Sequence, residues 1–373
     1  MNINMKPKIL IKAATIVPNS SGFIPGMGRA TVELINALLK LSNLEFDIAV
    51  YGYGAASFGF SYYGWPVKTF SYPIPGKVQY LFDTWLEPVV RMAHGYNLLH
   101  ITENFAYIKP KENAVVTIHD MIEFHQGNVH KNKRFLKCAK YAKGFVTCSE
   151  YTKSQIVKDL GVDPNKIDVI YWGINHDLFY PRKSIEINRV LKKYNIKTPY
   201  FFSCSGNDPT NRKNSDILMR SLRELVKSHE NVTLVLTWAS CPENLKKEFE
   251  QEITSQRLIL LDGVPDEELA CLYSGALATY FISSSEGFGF PILESFACGT
   301  PCVTCRNTSL AEIGSVYATF VKERDIDSTV SSMKSFLSKG KEDNGYLIAY
   351  ASSFNWHNTA LKYVDFYKKY LGI

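Results

Sequence analysis

Two glutamates eight positions apart, Glu286 and Glu294, flank a glycine-containing stretch with the sequence EGFGFPILE. The apolar, β-rich residues just before it, 276–282, predict a buried strand. Pro291 suits the first turn of a helix and Gly299 suits a left-handed residue after its end, so the pattern predicts strand, turn and short helix. The positive end of such a helix favours an anion, and an ionised carboxylate can accept hydrogen bonds from paired sugar hydroxyls. The segment therefore predicts a site that binds a phosphate through the turn and sugars through the two acids.

A pair of adjacent cations, Arg212 and Lys213, stands in the loop after another predicted strand, residues 200–204. Arginine binds phosphate as a planar fork, whereas lysine binds it as a point charge. Two cations on an exposed surface would mean little by themselves. In a loop between a strand and a helix they predict a diphosphate site, because such loops lie at the ligand-binding edge of a parallel sheet.

Two segments nearer the beginning of the chain place small or polar residues after a predicted strand. Gly26 and Gly28 precede a helix predicted over Ala30–Leu41, and glycine lets the backbone come close to a phosphate. Plain loop flexibility is the alternative interpretation of these glycines. His119 follows a strand predicted at 113–118, at the carboxyl edge of the sheet. A lone histidine is more often structural than catalytic, but this position favours a role in a site.

Length and composition are those of an ordinary globular protein with about two domains. A chain of 373 residues is long enough for about two domains, each with its own core. Its 46% hydrophobic and 21% charged residues are typical of soluble globular proteins, and no apolar run reaches the ~18 residues that span a bilayer. Lys12 interrupts the first apolar run, which favours a strand over a signal peptide. Eight cysteines without regular spacing indicate free thiols in a reducing compartment.

The segment around the two glutamates resembles glycosyltransferase family 4. The resemblance rests on DEELA at residues 266–270, EGFGFPILESFACGTP at 286–301 and SLAEI at 309–313. It implies the GT-B fold, in which two Rossmann-like, doubly wound parallel-sheet domains face each other across a cleft. In this family the first glutamate contacts the transferred sugar, the second contacts the ribose of the nucleotide, and transfer retains the anomeric configuration.

The same resemblance implies roles for residues elsewhere in the chain. The loop with Gly26 and Gly28 would approach the donor phosphates, and His119 would reach the donor sugar. Asn207 stands where the family usually has an arginine, so Arg212 and Lys213 would share the phosphate charge. The family's usual Pro-Asn-Gly is replaced by Tyr171-Trp172-Gly173. The residues implied to be catalytic are Glu286, His119, Arg212 and Lys213, and those implied to bind the donor are Glu294, Gly26, Gly28, Gly287, Phe288, Gly289 and Phe290.

The chemistry implied by the resemblance needs no cofactor and no bound metal. When the nucleoside diphosphate leaves, positive charge develops on the sugar and negative charge on the leaving oxygen. Arg212, Lys213 and the amides at Phe288 and Gly289 would stabilise that negative charge, and such preorganised electrostatics usually dominates a rate enhancement. Closure of the two domains would exclude water from the donor.

Domain boundaries are expected near the middle and the end of the chain. Residues 1–182, together with a terminal helix at 355–373, form the expected acceptor-side domain. Residues 183–354 form the expected nucleotide-sugar-binding domain, and Pro181, Arg182 and Lys183 mark the expected linker.

The Arg212 loop and the glutamate segment look most like those of mannosyltransferases in bacterial polysaccharide synthesis, which includes O-antigen synthesis. GDP-mannose is therefore the favoured donor, followed by a UDP-sugar and dTDP-rhamnose, and the expected acceptor is a saccharide or a lipid-linked oligosaccharide. A glycoside hydrolase also uses two carboxylates, but these must lie across the scissile bond. A non-catalytic nucleotide-sugar binder and an epimerase remain alternatives, because a fold alone does not fix a function.

Two segments of the first half have compositions that suit a saccharide or a membrane. Aromatic residues crowd positions 51–85, where they would stack on acceptor rings, lie at a membrane interface or fill the core. Residues 130–143 predict a basic helix without acids, which suits either an anionic membrane surface or plain solvent. The chain has no recognised nucleic-acid-binding module, so nucleic acid is not an expected partner. The expected location is cytoplasmic, with peripheral contact with the inner face of the cytoplasmic membrane.

Two other patterns resemble metal sites, and we expect neither to be one. Cys298, Cys302 and Cys305 have the spacing of an iron–sulfur radical enzyme, but in those enzymes the motif lies early in the chain, after the first strand. Asp325 and Asp327 have the spacing of a metal-binding DxD motif, but they precede a polar helical run, which predicts a helix cap.

Overall fold

The computed structural model describes residues 7–16, 26–41, 44–52, 63–73, 89, 92–93, 95–104, 108–127, 129–204, 211–228, 231–238 and 241–373. The chain divides into two compact units, one formed by Met1–Gly173 and Trp356–Ile373 and the other by Ile174–Asn355. The expected linker at 181–183 therefore lies inside the second unit. The reason is local hydrogen bonding, because the Ile174 amide donates to Phe354 O at 3.1 Å and the Arg182 amide to Ser274 Oγ at 3.1 Å.

The first unit is built on a seven-stranded parallel sheet. Its strands are β1 (Lys8–Lys12), β2 (Glu45–Gly52), β3 (Thr69–Pro73), β4 (Leu98–Ile101), β5 (Ala114–Ile118), β6 (Gly144–Thr147) and β7 (Ile167–Val169). The strand order is β3-β2-β1-β4-β5-β6-β7, and every neighbouring pair is parallel. Its helices are α1 (Gly26–Leu39), α2 (Ile122–His125), α3 (Val129–Tyr141), α4 (Glu150–Leu160) and the terminal helix (Trp356–Leu371).

The second unit is built on a six-stranded parallel sheet. Its strands are β8 (Tyr200–Ser203), β9 (Thr233–Thr237), β10 (Leu258–Leu261), β11 (Ala278–Phe281), β12 (Cys302–Cys305) and β13 (Thr319–Val321), in the order β10-β9-β8-β11-β12-β13. Its helices are α5 (Ser184–Lys193), α6 (Ser215–Val226), α7 (Glu243–Glu248), α8 (Glu250–Thr254), α9 (Asp266–Gly275), α10 (Phe290–Ala297), α11 (Ser309–Gly314), α12 (Ile326–Lys339) and α13 (Gly345–Ser352).

Strands buried on both faces explain why the sequence forms these sheets. In parallel α/β sheets helices cover both faces, so the strands are nearly continuous apolar runs. The side chains of β5 (AVVTI) and β11 (ATYF) are all buried, in agreement with the strands predicted there. The strand order of each sheet reverses once, between β1 and β4 and between β8 and β11. Ligands of doubly wound sheets bind at the carboxyl ends of the strands beside such a reversal.

The helix predicted over Ala30–Leu41 begins earlier than expected, at Gly26, and ends at Leu39. Gly26 and Gly28 therefore lie in its first turn and not in a loop. The sequence offers a reason, because Pro25 directly precedes the helix and proline favours a helix start. One turn further along, Thr31 Oγ1 donates to Met27 O at 2.9 Å.

Most of the aromatic residues between 51 and 85 lie outside the described residues or have side chains that are not described. Tyr63 and Trp65 are described, and their stacked rings have centroids 4.6 Å apart. Tyr63 OH donates to Ile16 O at 2.9 Å and Trp65 Nε1 to Asn36 Oδ1 at 2.7 Å. These two rings therefore pack on the first unit. None of the helices in the described ranges is long and apolar enough to cross a bilayer.

Candidate active site

The loops after β8 and β11 meet where the strand order of the second sheet reverses. Arg212 Nη1 lies 2.7 Å from Glu286 Oε1 and 3.3 Å from Ser283 Oγ, and it also donates to Ser285 O. The Ser284 amide donates to Arg212 O at 2.9 Å. The side chains of Arg212 and Glu286 are only 26% and 17% exposed. The structure thus joins a cation and an acid that the sequence predicted separately.

The second glutamate, Glu294, lies on α10 and is oriented by a buried phenol. Tyr273 OH donates to Glu294 Oε2 at 2.8 Å. Burial, with the Glu294 charge, raises the pKa of Tyr273 well above its ordinary value, so the phenol stays protonated. Lys213 Nζ lies 5.6 Å from the ring centroid of Phe281. Burial raises the pKa of the Cys204 thiol, which directly follows β8; the positive charge of Lys213 opposes this shift and the negative charge of Glu294 adds to it.

The turn between the two glutamates is held by its neighbours. Gly289 precedes α10 with φ 120°, a backbone conformation that other residues rarely adopt. A Cβ at Gly289 would lie 3.0 Å from Leu310 Cδ2. Ser309 Oγ lies 2.9 Å from the carbonyl oxygens of both Glu286 and Phe288. The predicted donor-binding positions of this turn are Gly287, Phe288 and Gly289, all buried, and Phe290, the first residue of α10, which is half-buried.

The short helix α10 confirms the rest of the predicted pattern. Pro291 lies in its first turn, and Gly299 follows its end with φ 72°, the left-handed conformation that commonly terminates helices. The positive end of the helix dipole therefore lies beside Glu286 and the Arg212 loop, where it favours negative charge on a ligand.

His119 lies at the end of β5 in the first unit and is only 3% exposed. Its Nε2 lies 2.7 Å from Thr102 O, so Nε2 carries the hydrogen and donates. Burial lowers the pKa of His119 to about 4, against the opposing effect of this hydrogen bond. The imidazole is therefore neutral at neutral pH, and its Nδ1 is a buried acceptor that receives no hydrogen bond from the described residues. A small pocket beside the ring is lined by Ala30, Thr31, Leu34, Thr102, Thr117, Trp172 and Tyr363.

Helix α1 and Trp172 shape the surroundings of His119. Trp172, at the place where the family pattern differs, packs against the imidazole with ring centroids 5.2 Å apart. Gly26 and Gly28 lie in the first turn of α1, the helix whose residues 30, 31 and 34 line the pocket. Gly26 is exposed, with open space around a Cβ, whereas Gly28 is buried.

Sequence reasoning missed several side chains that orient the predicted ones. Tyr273 and Trp172 carry no sequence signal for this role, because they contact residues far away in the chain. Ser309 stands in the SLAEI run, which the resemblance contained without giving it a role. Asn214 follows Lys213 directly, and its position after two cations in a βα loop was the available signal.

The two patterns that resemble metal sites consist of buried thiols and of a helix cap. Cys298, Cys302 and Cys305 are buried free thiols, and burial raises the pKa of Cys298 and of Cys305 to about 12. Asp325 caps α12 as predicted, because its Oδ1 accepts from the Ser328 amide at 2.7 Å. Within the described ranges, no group of three or more His, Cys, Asp or Glu side chains has the arrangement of a metal site.

Models of known protein families match both halves of the chain. A family model described as Glycosyltransferase Family 4 matches residues 24–178, and one described as Glycosyl transferases group 1 matches residues 186–353. O-antigen chain mannosyltransferase B of Escherichia coli is 26% identical over 283 residues, which cover 71% of this chain and 72% of the relative. O-antigen chain mannosyltransferase RfbU of Salmonella typhimurium is 26% identical over 281 residues, which cover 73% of this chain and 75% of the relative.

Solved structures share the fold at low sequence identity. The crystal structure of Alr3699/HepE from Anabaena in complex with UDP-glucose matches with a TM-score of 0.75 at 16% identity, covering 97% of this chain and 100% of that one. A glycosyltransferase from Rickettsia africae matches with a TM-score of 0.76 at 16% identity, covering 98% of this chain and 99% of that one. Two family models thus cover the two units in turn, and the paired glutamates with Arg212 lie at the sheet edge where ligands bind. The chain belongs to glycosyltransferase family 4 and has the GT-B fold.

Proposed function

We propose that this protein moves a hexose from a nucleotide-sugar to a saccharide or lipid-linked saccharide acceptor in cell-surface polysaccharide synthesis, with retention of the anomeric configuration. GDP-mannose is the favoured donor. The observation that carries the proposal is the contact of Arg212 with Glu286 at the strand reversal of the second sheet, with Glu294 on the helix that follows.

This arrangement lets the cations and the acids act on different parts of one donor. The contacts of Arg212 with the loop after β11 use Nη1, so a fork-like contact with phosphate through Nε and Nη2 is compatible with them. Lys213 adds a second positive charge. Glu286, oriented by Arg212, presents carboxylate oxygens to hydroxyls of the transferred sugar, and Glu294, oriented by Tyr273, presents them to the ribose.

Charge stabilisation is the main catalytic effect in this proposal. As the bond to the diphosphate breaks, negative charge grows on the leaving oxygen. Arg212, Lys213 and the amides at Phe288 and Gly289 stabilise that charge, and their positions are fixed before the reaction starts. The protein's own cations supply the positive charge, so the proposed reaction is independent of metal ions and of cofactors.

His119 has a binding role in this proposal and does not act as an acid. Its neutral imidazole offers Nδ1 as an acceptor, which suits a hydroxyl of the donor sugar. For Gly26 and Gly28, in the first turn of α1, the proposed role is an approach of the helix start to the donor phosphates.

The preference for GDP-mannose is supported by the names of the relatives, since both sequence relatives described above are O-antigen mannosyltransferases. A UDP-sugar is the next candidate, because a structural neighbour was solved with UDP-glucose. The test is to incubate the protein with each nucleotide-sugar and a mixture of lipid-linked bacterial saccharides. Nucleoside diphosphate release that depends on the acceptor supports the proposal, and NMR coupling constants of the product give its configuration. Release that ignores the acceptor, or an inverted product, contradicts it.

We also propose a peripheral contact between α3 and an anionic membrane surface. Residues Val129 and Leu136 are 63% and 50% exposed and lie at helical spacing on the same face as the exposed Lys133, Lys137 and Lys140. Apolar residues flanked by lysines suit a lipid interface, where each basic residue contributes about 1 kcal/mol to the free energy of binding to an anionic membrane.

Charge reversal tests the membrane contact. Changing Lys133, Lys137 and Lys140 to Glu should remove binding to vesicles that contain phosphatidylserine. The matched control reverses three exposed lysines of the second unit, Lys192, Lys334 and Lys339, and should leave binding intact. Equal vesicle binding by both triple variants would refute the contact.

A further inference from the structure

Asn214 stands between the two loops of the candidate site. It is fully buried, and its φ of 54° is in the left-handed region, which asparagine adopts more readily than most residues. Its Nδ2 donates to Ile282 O at 2.8 Å and to Ser284 Oγ at 2.9 Å. Its Oδ1 accepts from Arg324 Nη1 at 2.7 Å. Both amide hydrogens and the amide oxygen are therefore engaged.

Arg324 reaches Asn214 from the loop after β13. Its Nη2 lies 3.2 Å from Asp216 Oδ2, in the first turn of α6, so a carboxylate balances its charge. The side chain of Arg324 is 51% exposed, whereas that of Asp216 is 13% exposed. Arg324 thus connects the loop after β13 to the beginning of α6 and orients the Asn214 amide between them.

The contacts of Asn214 lie close in sequence to both partners of the Arg212–Glu286 ion pair. Arg212 precedes Asn214 by two positions, and Glu286 follows Ser284 by two positions, so Asn214 joins the loops that carry the ion pair. The contacts of the Arg212 side chain also connect these loops, and so does the Ser284 amide, which donates to Arg212 O at 2.9 Å. A shift of Asn214 would move Arg212 relative to Glu286.

We propose that Asn214 and Arg324 are positioning residues for donor binding. Arg324 holds the amide of Asn214, and Asn214 holds the Arg212 loop against the Glu286 loop in the geometry that binds the donor diphosphate. This inference rests on the proposed function, because it concerns the same site. Loss of Arg324 leaves the buried Asn214 oxygen without its donor, which favours rearrangement of the amide and of both loops.

The test measures the affinity for GDP-mannose and for UDP-glucose by titration calorimetry. Arg324→Ala and Asn214→Gly should each weaken binding of the nucleotide-sugar that the wild type binds by about tenfold, since small misplacements of binding groups are costly. Glycine keeps the left-handed backbone at position 214, and Arg324→Lys should recover part of the loss. The control is Arg220→Ala, which removes a surface contact of α6 with Glu248 and should leave affinity unchanged.

Combining the variants distinguishes positioning from general weakening of the unit. If Arg324 acts through Asn214, the double variant should bind no more weakly than Asn214→Gly alone. Additive losses, or wild-type affinity in Arg324→Ala, would overturn the inference.

Hydrogen exchange of the Ser284 amide, measured without ligand, separates failure of this inference from failure of the proposed function. Arg324→Ala should accelerate that exchange and Arg220→Ala should not. If the wild type binds neither nucleotide-sugar, the proposed function fails, and the exchange rates still decide whether Arg324 couples the loops. If the wild type binds one of the nucleotide-sugars, and Arg324→Ala has the wild-type affinity or the wild-type exchange rate of the Ser284 amide, the inference alone fails.

Discussion

Acidification should destabilise the first unit, because two buried histidines in it remain neutral well below their ordinary pKa. His100 is fully buried, with Nε2 2.8 Å from Thr117 Oγ1 and Nδ1 2.8 Å from the hydroxyl of Tyr367 on the terminal helix. Burial, with a smaller effect of His119, lowers the pKa of His100 from 6.5 to about 3. Burial lowers the pKa of His119 from 6.5 to about 4.

The sign and size of the effect follow from these values. In the unfolded chain both histidines bind protons as the pH falls through about 6.5. In the folded unit His119 binds a proton only near pH 4 and His100 only near pH 3. Their contribution to stability is therefore complete above about pH 6.5 and is lost as the pH falls further. At about 1.4 kcal/mol for each pKa unit, going from about pH 7.5 to about pH 5 costs roughly 2 kcal/mol for each histidine, and roughly 4 kcal/mol for both. That is a large part of the ~5–15 kcal/mol that holds a typical domain folded.

Urea unfolding at the two pH values measures this loss. In a Trp238→Phe variant the remaining tryptophans all belong to the first unit, so fluorescence reports on that unit. A variant that also carries His100→Gln and His119→Gln cannot titrate at these positions and should lose most of the difference between the two pH values. The reasoning is refuted if the unfolding free energy is the same at both pH values, or if the glutamine variant keeps the full difference.

Three further predictions concern the second unit. Arg212→Ala should abolish nucleotide-sugar binding, and it should lower the free energy of unfolding by about 1.5–3 kcal/mol because a hydrogen bond to a charged group is lost. Arg212→Lys keeps the charge and should retain part of the binding. Wild-type affinity in the alanine variant would contradict the assigned role. Tyr273→Phe removes the hydrogen bond to Glu294 and should raise the KM for the donor about fivefold with little change in kcat, since a net hydrogen bond contributes about 1 kcal/mol. A fall in kcat alone would exclude a ribose-side role for Glu294. Gly289→Ala should destabilise the second unit by about 1–3 kcal/mol, because Gly289 has a φ of 120°. Gly26→Ala should not destabilise α1, because the space around a Cβ at Gly26 is open. Equal melting temperatures of the two variants would argue against this difference.

The strand, turn and helix around the two glutamates could be predicted because their signals are local. A β-rich run, a proline in the first helical turn and a glycine after the helix each act within a few residues of their own position. The sequence does not fix the beginning of α1, because glycines in a first helical turn and glycines in a loop look alike in sequence. Residues 181–183 have the composition of a linker, whereas the division between the compact units falls at 173–174 and the Arg182 amide donates to Ser274 Oγ within the second unit.

The supporting side chains of the site could not be predicted, because they depend on long-range packing. Arg324 meets Asn214 across 110 positions of sequence, and Tyr273 meets Glu294 across 21. Only the order of the strands brings the loops after β8, β11 and β13 to one edge of the sheet. The predictions for Asn207 and for much of the aromatic stretch concern residues outside the described ranges, and they stay predictions.

The most direct test of the central claim is a thermal-shift titration with GDP-mannose, UDP-glucose and dTDP-rhamnose, with and without EDTA. A ligand that binds the folded state raises the melting temperature in proportion to the logarithm of its concentration at saturation. We expect one nucleotide-sugar to raise it, with EDTA having no effect, and we expect the shift to disappear in Arg212→Ala but to persist in Arg220→Ala. An equal shift in Arg212→Ala, or no shift with any donor, would contradict the claim that this loop binds a nucleotide-sugar.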